Sequence, residues 1–161
     1  MKASHFFIYT SPNRSNCIAT FGHDPLRREE LAEMLGANAH LEHTGQLEST
    51  VQKFWEETYQ GEAFALDPPS SLLRIYEFFA AGWNAAAEYT NTPAQRMTVE
   101  LIRELVRQRP NHESVGVVAH CFKKLKFDAA EECRISRKEW QMILLLSFQM
   151  AFVVCARRFG Q

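Results

Sequence analysis

The apolar positions of this chain change their period near residue 22. Ahead of that point, "HFFIYT" (5–10) and "NCIATF" (16–21) are rich in β-branched and aromatic residues, with the turn-forming "SPNRS" between them. The pattern predicts a β-hairpin, which is marginal alone and must pack on something. Beyond Gly22 the spacing becomes helical. Asp24-Pro25 offers an N-cap and a first-turn proline ahead of "LRREELAEML", with Gly36 as the stop. Ser49 and Gln52 make a capping box for "TVQKFWEETYQ", and Asp67-Pro68 precedes "PSSLLRIYEFFAAGWNAAAEY". Leu72, Tyr76, Phe79, Trp83 and Ala86 form the apolar stripe of that third helix. Thr92-Pro93 with Gln95 opens a fourth, which turns Met97, Leu101, Ile102 and Leu105 inward and which Pro110 must end. Asn111 caps a fifth, with Val115, Val118, Phe122 and Leu125 inward. Ser136 and Glu139 cap the closing helix, and Gly160 ends it. The stretch "ANAHLEHTG" (37–45) fits either a loop or a continued helix.

From Met142 to Ala156 the closing helix holds two polar residues, Ser147 and Gln149. A membrane span needs about 20 consecutive apolar residues, and Arg157-Arg158 would suit a positive flank. The water-side cap at Ser136 argues the other way. So do the preceding amphipathic helices, each with a stripe to cover. The expectation is therefore a central helix of a helical core, with Leu145 among its buried positions. Any face left uncovered becomes a subunit interface, which would allow a homodimer. The fold class is mostly α: about six helices around a buried C-terminal helix, with a short N-terminal β-hairpin. It forms one domain over 1–161, with 1–22 the hairpin and 23–161 helical.

Composition changes this picture little. The chain is 46% hydrophobic and 23% charged, ordinary values that exclude a disordered protein. "MKASHFFIYTSPNRSNC" lacks the long apolar run and cleavage site of a signal peptide. Cys17, Cys121, Cys133 and Cys155 lie far apart, which predicts reduced thiols and a cytoplasmic protein. Charge is more informative. Residues 1–91 carry six Lys/Arg against twelve Asp/Glu, and residues 92–161 carry twelve against seven. Either the halves neutralise one another within the fold, or the basic half presents a face to a polyanion.

Candidate chemistries are sparse. His40 and His43 would share a helix face, and His112, His120, Cys121 and Cys133 offer donor atoms. Neither set has the spacing of a closed zinc module, so no metal or cofactor is expected. Cys17 with His23 could form a nucleophile and base, the basis of a small Cys-dependent hydrolase. Asp24 beside them is better used as a helix cap. The glycines form no phosphate loop, and the carboxylates of "REELAE" and "EETYQGE" sit at the spacing of solvated helix faces. "LRREELAEMLG" suits the first helix of a helix-turn-helix, but thirteen residues follow before an acidic helix, so the spacing fails. "FKKLKF" interleaves Lys123, Lys124 and Lys126 with aromatics, as a single-strand-binding groove does. The alternative is a core face of Phe122 and Leu125 with the lysines in water.

Phe54, Trp55, Gly82, Trp83, Ala85 and Ala86 carry one resemblance. An aromatic-acidic helix followed by an "aromatic-x-x-G-W-x-A-A" helix resembles small phage and prophage accessory proteins, over about a quarter of the chain. The resemblance implies a mobile-element protein of a group that includes inhibitors of host systems and regulators. Independently, Gly82 with Ala80, Ala81 and Ala85 predicts close approach of another helix beside Trp83. The leading expectation is a non-enzymatic protein that binds a host protein or complex, with Glu56 and Glu57 on its acidic half as candidate contacts. The alternative is nucleic-acid binding through Lys123, Lys124 and Lys126.

Overall fold

The computed structural model describes residues 4–60, 63–65, 67–92, 96–129 and 134–159. The protein is mostly helical, with helices gathered around a C-terminal helix and a small antiparallel sheet near the N-terminus. β1 (His5–Thr10) and β2 (Cys17–Gly22) pair from His5↔Gly22 to Thr10↔Cys17, the hairpin expected of two β-branched and aromatic runs around a turn. Residues 40–46 depart from expectation. They form β3 (His40–Gln46), which pairs with the other side of β1 and gives the order β2-β1-β3. "HLEHTGQ" carries no apolar face because β3 is a largely exposed edge strand, held by β1 rather than by its own pattern.

β1 is covered on both sides. Phe6 and Ile8 join the main core, while Phe7 and Tyr9 pack with Leu31 of α1 (Arg28–Leu35). The Tyr9 hydroxyl accepts from Leu26 N at 2.7 Å, which ties down the approach to α1. The other helices are α2 (Ser49–Gln60), α3 (Pro68–Tyr89), α4 (Val99–Gln108), α5 (Glu113–Ala129) and α6 (Arg137–Phe159). A second, two-stranded sheet pairs β4 (Ala63–Ala65) with β5 (Arg134–Ser136), and three-residue strands are too short to show a period in sequence.

Several caps lie elsewhere than the sequence suggests. α1 begins after Arg27, whose N–H meets the Glu30 carboxylate at 3.4 Å, so Asp24 is not its cap. α2 starts at Ser49 itself, with Gln52 N donating to the Glu48 carbonyl at 2.9 Å. Thr98 replaces Thr92 at the start of α4 and accepts from Leu101 N at 3.1 Å; Pro93 and Gln95 lie outside the described residues. His112 replaces Asn111, its Nδ1 accepting from Ser114 N at 3.1 Å. At α2, α4 and α5 more than one residue near the helix start can accept from the first turn, and packing of the apolar stripe selects among them. At α1 the Arg27 N–H and guanidinium instead donate to Glu30. Where no rival is near, the expectation holds. Pro68 opens α3 behind Asp67, and Ser136 Oγ accepts from Glu139 N at 3.2 Å.

α6 occupies the centre. Trp140, Ile143, Leu144, Ser147, Phe148, Ala151, Phe152 and Cys155 make one continuous buried face. α3 lies against it so closely that a Cβ on Gly82 would stand 2.2 Å from the Phe148 carbonyl oxygen. By length and composition alone, 137–158 could cross a membrane. Its two polar side chains are bonded inside the chain instead. Ser147 Oγ donates to the Ile75 carbonyl of α3 at 2.9 Å, and the Gln149 amide donates to the Cys17 carbonyl of β2. Leu145, expected in the core, is only half-buried; Leu144 holds that place. The stripe of α5 is displaced similarly, with Val117, Val118, Cys121 and Leu125 buried and Val115 and Phe122 half-buried.

Candidate functional site: a cleft at the end of the sheet

Among the described residues, those singled out by sequence for catalysis or metal binding do not assemble. Cys17 and His23 stand at opposite ends of β2, beside Thr10 and beyond Gly22. Six extended residues separate them by roughly 20 Å, so the imidazole does not reach the thiol. His23 lies beside Ser4 Oγ at 3.1 Å instead. His40 and His43 are strand residues, not neighbours on a helix face. His40 is exposed, and His43 lies among the rings of Phe6, Tyr89 and Phe152. His112 caps α5, His120 is exposed on it, and Cys121 is wholly buried beneath it. Cys133 lies outside the described residues. On α5, Lys123 and Lys126 are exposed, and Lys126 Nζ lies 4.8 Å from the centre of the Phe122 ring. On α2, Glu57 is exposed and Glu56 half-buried.

What the fold does assemble is a cleft of about 590 Å³ between the β1–β2 turn, β3, the end of α3 and the last turns of α6. The register of β1 with β3 slips once, from Ile8↔His43 to Tyr9↔Leu41, and leaves Glu42 unpaired as a bulge. A bulge re-aims a side chain that alternation alone would place elsewhere. Here it brings the Glu42 carboxylate to Tyr89 of α3, whose hydroxyl donates to it. Arg14 Nη2 donates to the same oxygen at 2.9 Å, and His40 Nε2 lies 3.2 Å from the other. Arg14 sits in the hairpin turn with φ 58°, a left-handed conformation that costs a non-glycine residue about 1–2 kcal/mol. Strained backbone of this kind clusters at sites that use it.

The electrostatics follow from these partners. Burial pushes the Glu42 carboxyl up, but the bonds from Tyr89 and His40 and the Arg14 charge outweigh it and hold it below the ordinary value. Its bond to Glu42 raises the Tyr89 phenol, and burial adds to the effect. Burial raises the Cys17 thiol to about 11; nearby Glu42 adds to this, and Arg157 opposes it. A thiol so placed is protonated at neutral pH and is a poor nucleophile. Burial lowers His43, against the pull of Glu88 and Glu42.

No protein-family model, no curated protein and no solved structure matches this chain. Function therefore rests on the chain's own geometry. Arg14, Glu42 and Tyr89 went unnoticed in the sequence because they are scattered singly through it, and Arg157 entered only as a flank of the closing helix. The available signal was weak: a lone acid within the alternating "HLEHTGQ", and an arginine inside a turn.

Proposed function

We infer that this chain is a non-enzymatic protein-binding accessory or inhibitor protein that acts on a host protein or complex. The observation that carries this reading is a second apolar stripe on α6. Met142, Leu145 and Leu146 cluster near the start of α6 on the side away from its buried face, with Leu145 and Leu146 packed at their edges against the core. Met142 is 54% exposed and the others are only partly covered. A central helix with an incompletely covered apolar side is suited to burying it against a partner.

Charge supports the same reading. Among the described residues, the Arg96–Glu48 ion pair at 2.6 Å joins the basic half to the acidic half, and Glu57 of the acidic half is exposed. α2, which carries Glu56 and Glu57, packs beside the start of α6 through Phe54 and Trp140, with ring centres 6.3 Å apart. The partner would then present apolar side chains flanked by basic ones. We further propose a cytoplasmic protein of phage or plasmid origin, with no membrane association. A homodimer through the same stripe is an alternative occupant.

The competing nucleic-acid reading needs Lys123, Lys124 and Lys126 beside an aromatic free to stack. Phe122 is half-buried, and Lys126 covers its ring. The two readings separate in one experiment. Wild type, Glu56→Lys/Glu57→Lys and a Lys123→Glu/Lys124→Glu/Lys126→Glu variant are used to capture partners from host lysate, with and without nuclease. A protein partner that survives nuclease and is weakened by the acidic-pair change supports the proposal. Steeply salt-dependent nucleic-acid binding, lost in the lysine variant, overturns it.

A further inference from the structure

We propose that the cleft at the end of α6 is a binding site for an amphipathic monocarboxylate, an apolar chain or ring that carries one carboxylate. Its volume of about 590 Å³ is that of a small-molecule site. Ile8 and Phe152, both buried, with Met150 and Val153 supply its apolar lining, and Thr10, Ser15, Thr90 and Gln149 supply polar lining. Three charged side chains line it: Arg14, Glu42 and Arg157. Arg14 and Glu42 neutralise each other at 2.9 Å. The Cys17 thiol and Tyr89 phenol are held protonated by burial and by the bond to Glu42.

Arg157 remains as an exposed guanidinium on the rim, with no ion pair among the described residues. A positive charge at the edge of the apolar α6 side of the cleft, facing a polar hairpin side, suits a ligand with an apolar body and one negative charge. The guanidinium fork matches a carboxylate with two parallel hydrogen bonds. Asn16 lies on the same rim, and its side chain makes no hydrogen bond among the described residues. It offers a further donor.

The probe is decanoate, held below its micelle concentration and titrated into isotope-labelled full-length protein while amide shifts are followed. Decanol serves as the uncharged control. Decanoate should bind saturably with one-to-one stoichiometry and move the amides of Ile8, Cys17, Tyr89 and Phe152. Decanol should bind about tenfold more weakly, and Arg157→Gln should weaken decanoate about tenfold while leaving decanol unchanged. Val153→Phe, which narrows the cleft, should weaken both. The proposal is overturned by non-saturable binding, by equal affinity for acid and alcohol, by an Arg157→Gln protein that binds decanoate normally, or by shifts confined to another surface.

Discussion

Midway along α3, Gly82 lets the α6 backbone approach until one added methyl group would stand 2.2 Å from the Phe148 carbonyl oxygen. At the end of α3, beside Tyr89, the same two helices line a cleft of about 590 Å³. The first region is closed by shape, with a polar stitch from Ser147 to Ile75. The second is held by charge, through Tyr89, Arg14 and His40 on the Glu42 carboxylate. A close-packed seam leaves no volume for a ligand, and any added or deleted atom is felt as stability. A polar latch beside empty volume tolerates change and leaves surface for binding. One helix pair thereby changes along its length from a close-packed seam to an open cleft.

Substitutions in the seam should cost most. Leu144→Ala is expected to destabilise the protein by about 2–5 kcal/mol in chemical denaturation, because Leu144 is wholly buried. Leu145→Ala, one residue along and half-buried, should cost about 1 kcal/mol. Equal costs would remove the distinction between the two faces of α6. Gly82→Ala comes next, at about 1–3 kcal/mol, because the clash is with backbone that cannot swing aside. Gly116→Ala is its control. Nothing lies within 4 Å of the added Cβ there, and the change should stabilise α5 by up to about 1 kcal/mol. At the latch, Tyr89→Phe deletes one donor to Glu42 and should cost about 1 kcal/mol, with Arg14 still in place.

The smallest effect is the dependence on pH. Burial lowers His43, and burial with Arg158 and Arg109 lowers His112, both from an ordinary 6.5. Folding therefore favours the neutral rings, and the stability they contribute is present above pH 6.5. It falls as pH drops through 6.5 and below. At His112 the proton would also occupy the nitrogen that caps α5 and place positive charge at a helix N-terminus. Melting temperatures between pH 7.5 and 5.5 should decline, and His112→Asn, a neutral cap, should flatten the slope. An unchanged slope would remove His112 from this role.

Much of this architecture was legible in the sequence because its signals are local or periodic. The hairpin declared itself by two β-branched and aromatic runs around a turn, and the α3 stripe by helical spacing. The small residues around Gly82 announced the close approach to α6. β3 was not legible, since an edge strand needs no apolar face of its own and takes its pairing from β1. The caps at Thr98 and His112 were misplaced where two acceptors compete within a few residues, and α1 starts after Arg27, which carries no side-chain acceptor. The cleft was invisible for a stronger reason. Tyr89 and Arg14 share the Glu42 carboxylate where one register slip turns Glu42 toward α3. No spacing along the chain encodes that slip.

The most direct test is the variant Met142→Glu on the outer face of α6. Met142 is exposed, so the charge should leave the melting temperature within about 1–2 °C of wild type, as surface changes within ±0.5 kcal/mol do. The same charge would be buried against any partner that covers the stripe. The expected result is an unchanged melting curve with loss of the nuclease-resistant protein partner from the lysate capture. Full retention of that partner, or a large loss of stability without effect on capture, would contradict a binding face on α6.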